Sequence, residues 1–366
     1  MSPDASRPSA IDAPRIVDLF AGPGGLDVAA HWLDVPVAGV EWDDNAVATR
    51  KKASLDTWHR DVRDLGPWNF SDANVLAGGP PCQTFTVAGA GAGRRALDVV
   101  LALVEMLDNG RTAEVKDAIA RMEDERTGLV LEPLRWALSA LDDERPFEAI
   151  VLEQVPAVKP VWDAYAAVLR NRGYGVDVGI LRTEEFGVPQ TRRRAILIAR
   201  LGAEVALPAA THRPYRKGVL RDAGAPSLRP WVTMAEALTG RGDFDVISNY
   251  GSGGVSTARG RRSSDQPAFT VTGKISRNKV VCRATGAIGR FTPSEAGQLQ
   301  TFPADYPWSG GDIAQQIGNA VPPRLAVHVL SAALGMDQPS EAFLADAVRS
   351  SWRDEVRGTT ELVPVA

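Results

Sequence analysis

Two cysteines, Cys82 and Cys282, and four histidines are the only thiol and imidazole groups in 366 residues. So few cysteines cannot build a disulfide framework, and no Cys or His pair stands at metal-ligand spacing, so no metal is expected and Cys82 reads as a free thiol. Also missing is any apolar run near the roughly 20 residues that span a bilayer. The opening stretch MSPDASRPSAIDAPR has no apolar signal-peptide core. A cytoplasmic protein without membrane contact is the expectation. Nor is there an excess of basic charge: 41 Lys and Arg stand against 45 Asp and Glu, a net −4 that does not by itself suggest a nucleic-acid binder. What remains, 44% hydrophobic and 23% charged residues, is ordinary for a soluble globular chain.

The average hides a local asymmetry. Residues 251–290 hold eight basic residues, Arg259, Arg261, Arg262, Lys274, Arg277, Lys279, Arg283 and Arg290, against the single acid Asp265. Such a cluster is either a solvated loop or a phosphate-facing surface.

Strand-like and helix-like segments alternate along the first half: strands at Ile16–Leu19, Val35–Val40, Asn74–Ala77 and Glu148–Leu152, helices at Leu26–Leu33, Asp43–Lys52 and Val158–Arg172. Ala96 to about Leu141 reads as helical with a break at Asn109-Gly110-Arg111, and strands Tyr174–Leu181 and Arg194–Ala199 end the series. This alternation predicts a doubly wound α/β sheet, parallel in its strands, with ligands at the carboxyl ends of the strands. From about Leu201, Pro, Gly, Ser and Arg rise and periodicity weakens. The expected division is a disordered stretch 1–13, a first domain 14–200, a small irregular or β-rich domain 201–288, a segment 289–336 returning to the first domain, and a charged helical tail 337–366.

Asp18-Leu19-Phe20-Ala21-Gly22-Pro23-Gly24-Gly25-Leu26 runs from a strand through a glycine-rich turn into a helix. Glycines let backbone N–H groups approach a ligand there, at a helix N-terminus that favours a negative group. Pro23 breaks the GxGxxG spacing of dinucleotide sites, which favours another adenosine-containing cofactor. Glu41 closes the next strand, where an acid commonly binds ribose hydroxyls, and Asp61 follows a third. Each acid alone could be an exposed strand end; three features at successive strand ends favour a nucleoside pocket. Cys82 follows Gly78-Gly79-Pro80-Pro81. Most free cysteines are buried small hydrophobes, yet the stiff approach and the Gly/Ala/Arg-rich loop after it place this thiol as a nucleophile. Glu153, ending another strand, is either solvated or a proton donor in the same cleft. Gln190-Thr191-Arg192-Arg193-Arg194 is a solvated turn or a set of guanidinium donors.

These pieces, in the order DLFAGPGG, Glu41-Trp42, Asp61-Val62, GGPPCQ, Glu153-Gln154-Val155, QTRRR, RFTPSEAGQLQTFP and QQIGNAVPP, resemble the DNA cytosine-5 methyltransferase family over about Ile16 to Arg324, excluding most of 201–288. The resemblance implies a Rossmann-like S-adenosylmethionine-dependent methyltransferase fold with a target-recognition domain at 201–288. S-adenosylmethionine would lie against Phe20, Ala21, Gly22, Gly24, Gly25 and Leu26, with Glu41 on the ribose and Trp42 beside the adenine. Asp61 and Val62 would complete the adenine site, and Pro80, Asn319 and Val321 would border the methionine end. Cys82 would attack C6 of a flipped cytosine, Glu153 would engage N3 and the exocyclic amine, Arg194 would hold O2, and Arg192 would support the catalytic loop or the DNA backbone. The products would be 5-methylcytosine and S-adenosylhomocysteine.

Double-stranded DNA is then the implied partner. Gln83, Thr84, Arg94 and Arg95 are expected at the flipped base, and Arg259, Arg261, Arg262, Thr270, Lys274 and Arg277 on the duplex, reading one short sequence. A monomer associated with the nucleoid is expected. Its role could be restriction–modification, with a cognate endonuclease acting independently, or an orphan or phage-defence one. An RNA cytosine-5 methyltransferase, an inactive DNA-binding regulator of the same fold and a dinucleotide oxidoreductase are the alternatives. Two departures stand out: Gln154 replaces the family's usual Asn, and a helical insert, about Leu97–Glu123, follows the catalytic loop.

Overall fold

The computed structural model describes residues 8–81, 90–122, 124–249 and 259–361, with backbone alone at 90–95 and 357–361. Seven strands form one sheet in the order β3-β2-β1-β4-β5-β7-β6. They are β1 (Ile16–Leu19), β2 (Val37–Glu41), β3 (Thr57–His59), β4 (Val75–Gly78), β5 (Ala149–Gln154), β6 (Tyr174–Arg182) and β7 (Arg193–Leu201). The expectation of a parallel sheet holds for β1 to β5 and fails for β7, which pairs antiparallel with both β5 and β6. The reason is the connection: the short turn through Phe186 and Gln190 leaves no room for a crossover helix.

The central strands are apolar because both faces are covered. On one face Val17, Leu19, Leu76, Ile150 and Leu152 pack under α3 (Ala90–Asp108), α5 (Glu132–Asp142) and α6 (Lys159–Arg170). On the other, Ile16, Val75, Val151 and Ile196 meet α1 (Gly25–Trp32) and α10 (Pro323–Leu334). Local chemistry sets the helix ends. Asp43 caps α2 (Asp44–Lys52) by accepting from the N–H groups of Asn45 and Ala46, and Arg50, Lys51 and Lys52 lie in its last turn, where positive charge suits the helix dipole. Gly110, at φ +74°, breaks the predicted long helix between α3 and α4 (Thr112–Ala120).

The small domain is an antiparallel sheet in the order β11-β10-β8-β9: β8 (Phe244–Ile247), β9 (Arg261–Ser263), β10 (Lys279–Cys282) and β11 (Ile288–Gly289). The one-turn helix α7 (Met234–Ala237) leads into it. Its core of Phe244, Val246, Val271 and Val280 also includes Phe291, Ala296, Leu299 and Ile317. Thus α8 (Pro293–Leu299) and α9 (Ile313–Asn319) share the small domain's core, and α10 packs in the large one.

Ile11, inside the stretch expected to be disordered, is buried, and its N–H donates to Leu334 O. That expectation fails for residues 8–13 because an apolar side chain and a backbone donor both find partners on α10. The tail folds as α11 (Glu341–Arg349) and α12 (Trp352–Glu361). Glu341 accepts from Arg324 and lies 3.8 Å from His212 and 3.6 Å from Arg229. Burial and the nearby Arg324 charge push the His212 pKa down to about 4. Burial, offset in part by a Gln338 hydrogen bond, pushes His328 down to about 4 as well.

Candidate active site

The carboxyl ends of β1, β2, β4 and β5 and the end of α9 surround a cleft of about 610 Å³. The turn after β1 forms one wall. Phe20, Gly22 and Gly24 all take positive φ, 61°, 56° and 102°, a run that needs glycine and stores strain at the non-glycine Phe20. At Gly25 an added Cβ would sit 2.2 Å from Val321 O, so the turn and the returning chain touch through bare backbone.

Glu41 locks this turn to β2. One carboxylate oxygen accepts from Gly22 N–H at 2.7 Å, and the other from the N–H groups of Trp42 and Asp43 at 2.8 and 2.7 Å. Trp42 stands 68% exposed at the mouth of the cleft. Asp61 lies beside it and is bound by Arg63, whose Nη2 donates at 2.7 Å. Partial burial opposes ionisation of Asp61, but the Arg63 hydrogen bonds outweigh it and hold its carboxyl below the usual value. Arg63 also reaches Glu125 at 3.2 Å. On the floor, burial and the charge of Asp27 raise the Asp18 carboxyl well above its ordinary pKa, opposed by Arg50. Asp27 and Arg50 themselves form a buried bidentate pair at 2.7 and 2.8 Å.

At the other end, Glu153 Oε1 lies 2.5 Å from Arg194 Nε, both side chains 12% exposed. Gln154 points the opposite way, as successive strand residues do. Its side-chain amide donates to Pro80 O, and its own oxygen accepts from Val155 N–H. The added methylene relative to Asn is thus accommodated, and Gln154 ties the Pro80-Pro81 segment to the end of β5. Cys82, Gln83 and Thr84 lie outside the described residues, as do the side chains of Arg94 and Arg95.

Of the expected cofactor residues, Phe20, Ala21, Gly22, Gly25, Leu26, Glu41, Trp42, Asp61, Val62, Pro80, Asn319 and Val321 line the cleft. Gly24 does not: a Cβ there would meet Leu55 at 2.3 Å and the Tyr306 hydroxyl at 2.8 Å, so its glycine serves the turn's packing. Sequence reasoning missed Asp18, Pro23, Arg63, Arg126 and Leu129, which also line the cleft. The last two follow the expected helical insert, and nothing local in the sequence marked them. The donor set suits an adenosine group: an exposed indole for the base, carboxylates at Glu41 and Asp61 for hydroxyl and amino groups, and bare backbone at Gly22, where an added Cβ would meet nothing nearer than 4.0 Å.

Three expected site residues are corrected. Arg192 is 2% exposed and does not line the cleft; it donates to Val271 O, Gly318 O and Ala320 O, tying together β7, the small domain and α9. Arg262 donates to Thr191 Oγ1, Pro267 O and Ala268 O, with its guanidinium carbon 4.3 Å from the Phe269 ring centroid and 4.8 Å from that of Tyr215. Thr270 donates its hydroxyl to Thr191 O. In each case the sequence showed a polar side chain near the right place, and tertiary partners directed it inward. Lys274 and Arg277 are exposed, Arg259 is half-buried, and Arg261 is exposed but pairs with Asp245 at 2.8 Å.

Among the described residues there is no cluster of His, Cys, Asp and Glu that could hold a metal ion, and no helix long and apolar enough to cross a membrane. A family model for C-5 cytosine-specific DNA methylases matches residues 14–108, 120–223 and 228–334. The chain is 28% identical over 319 residues to the Type II methyltransferase M.AplI of Arthrospira platensis, covering 85% of this chain and 83% of that protein. It is 27% identical to M1.HphI of Haemophilus parahaemolyticus, covering 88% of this chain and 87% of that one. Among solved structures, the Dnmt2 methyltransferase of S. pombe superposes with a TM-score of 0.58 at 18% identity, covering 88% of this chain and 98% of that one. The EhMeth methyltransferase of Entamoeba histolytica gives 0.58 at 14% identity, covering 93% and 100%. With its glycine turn, strand-end carboxylates and family match in register, the chain belongs to the C-5 cytosine-specific DNA methylases and is a DNA cytosine methyltransferase that uses S-adenosylmethionine.

Proposed function

We propose that the chain methylates C5 of a flipped cytosine within one short duplex sequence through a covalent Cys82 adduct, as the modification enzyme of a restriction–modification pair. The carrying observation is the Glu153–Arg194 pair, 2.5 Å apart on the cleft wall beside Pro80 and Pro81. A carboxyl and a guanidinium so placed match the two polar edges of a cytosine ring, the N3/amine side and O2.

Ring carbon C5 is a weak nucleophile, and inside a duplex it is out of reach, so the base must leave the stack at a cost of a few kcal/mol. The Cys82 thiolate adds to C6, the C5–C6 π pair shifts to C4–C5 and the C4–N3 pair moves onto N3, where Glu153 stabilises the added proton; C5 is then the nucleophilic carbon of an enamine. Bound in the cleft, S-adenosylmethionine supplies an electrophilic methyl carbon on sulfonium sulfur. Loss of the C5 proton and expulsion of the thiolate restore the aromatic ring. Arg194 holds O2 and fixes the Glu153 carboxylate through the ion pair. Gln154 carries no proton here; by gripping Pro80 O it fixes the approach to the nucleophile.

For the duplex, the exposed Lys274 and Arg277 supply phosphate contacts. The enzyme acts as a monomer. The test is bisulfite sequencing of DNA from a methylation-deficient host expressing the wild type or Cys82→Ser. Protected cytosines in one short motif, absent with the variant, bear out the proposal. Protection that persists with Cys82→Ser sinks the covalent route. No protection from a soluble, cofactor-binding protein sinks the DNA-sequence reading.

A further inference from the structure

We infer that Tyr306 and Trp352 clamp the glycine-rich turn in its cofactor-binding shape, which makes the C-terminal helix α12 part of the cofactor site. The inference rests on reading the cleft as the S-adenosylmethionine site.

The turn is held from two sides. Glu41 grips Gly22 N–H from the β2 side. On the opposite side the hydroxyl of Tyr306, a residue 283 positions away, donates to Pro23 O. Pro23 sits between Gly22 and Gly24, the two glycines with positive φ, and lines the cleft. Backbone in such a conformation relaxes unless its neighbours over-determine it. The same hydroxyl lies 2.8 Å from where a Cβ at Gly24 would stand, so the clamp also accounts for that glycine.

Tyr306 is itself wedged. Its ring centroid lies 4.8 Å from Phe302, 4.9 Å from Trp308 and 5.5 Å from Trp352. Burial first, and then the Asp27 charge, raise the phenol pKa, with Arg50 opposing, so the hydroxyl keeps the proton that it donates. Trp352 opens α12 and is 2% exposed; its indole N–H donates to Ala53 O at 3.1 Å. Its ring meets His31 edge-on at 5.1 Å, near the end of α1, the helix that starts from the turn. Asp305, next to Tyr306, caps α12 by accepting from Trp352 N–H at 2.9 Å and Ser351 Oγ at 2.8 Å. One helix therefore braces the clamp residue, its neighbour and the far end of α1.

The experiment uses the full chain carrying Tyr306→Phe, Trp352→Ala or Asp305→Asn. Titration calorimetry with S-adenosylhomocysteine, DNA affinity, KM and kcat are compared with wild type. Tyr306→Phe is expected to weaken S-adenosylhomocysteine binding and raise the cofactor KM by about tenfold, or ~1.4 kcal/mol, with kcat at saturating cofactor and DNA affinity retained. Trp352→Ala and Asp305→Asn should give the same split at about threefold, ~0.65 kcal/mol. A folded Tyr306→Phe with wild-type cofactor affinity overturns the inference, as does equal loss of cofactor and DNA binding, the sign of general loosening. If Tyr306→Phe does not fold, Asp305→Asn decides by the same split. A wild type that binds no S-adenosylhomocysteine overturns the cofactor reading itself.

Discussion

The carboxyl edge of the seven-stranded sheet and the small four-stranded sheet both gather charged side chains, and they use them in opposite ways. At the large sheet, Glu153, Arg194, Asp61 and Arg63 pair with one another along the wall of an open cleft. In and beside the small domain, Arg192 and Arg262 turn inward onto backbone carbonyls and rings, and Arg261 and Arg283 share Asp245. The large sheet packs chiefly through apolar side chains, with a few buried charges such as Arg50 and Arg200 held by Asp27 and Ala333 O, and its strand ends carry the chemistry. The small domain has a short apolar core and replaces missing packing with guanidinium groups. Charge count by itself therefore overstates how much of the small domain faces DNA.

Four measurements would break or sharpen that contrast. Glu153→Gln should lower single-turnover methyl transfer by roughly 10²–10⁴-fold while cofactor binding stays intact; a drop of only a few-fold would make the cleft pair structural, like Arg262. Arg262→Ala should cost about 2–4 kcal/mol of stability in urea unfolding and leave the salt dependence of DNA binding unchanged. If the salt slope falls instead, the side chain faces phosphate and the contrast fails.

The third test concerns the buried histidines near Glu341. His212 and His328 have folded pKa values of about 4, below the ordinary 6.5. Between these values the unfolded chain binds more protons, so stability is complete above the ordinary pKa and falls as pH drops. The slope approaches ~1.4 kcal/mol per pH unit for each histidine and levels off below the folded pKa. Thermal midpoints across that window check it, and His328→Gln should reduce the slope. The smallest effect is Arg277→Ala, which should leave stability unchanged and reduce the salt slope of DNA binding by about one; no change would remove Arg277 from the interface.

Much of the cleft was legible because its signals are local. A polar residue closing an apolar strand, as at Glu41 and Glu153, or a glycine run between strand and helix, needs no knowledge of distant chain. Arg192 and Arg194 look alike in QTRRR; Arg192 precedes β7 and is drawn inward by Val271 O, Gly318 O and Ala320 O, whereas Arg194 lies in β7 and reaches Glu153, and none of these partners is near in sequence. Arg262 was misread because Tyr215 and Thr191 are 47 and 71 positions away. The double allegiance of 289–336 escaped for the same reason: it depends on which surfaces meet after the chain has turned back. Ile11 shows the converse, a terminal stretch whose polar composition concealed one apolar anchor.

The closing of the cleft by residues 312–321 has a consequence for biosynthesis. Thr49 Oγ1 bonds Gln316 across 267 positions, and Gly25 meets Val321 backbone to backbone. A nascent chain that has emerged as far as β7 already displays the glycine turn, Glu41, Asp61 and Glu153, yet its pocket lacks a wall. The ribosome must deliver the chain through residue 321 before the pocket closes, so translation cut short before that point yields a protein that carries most of the catalytic signature and no finished site.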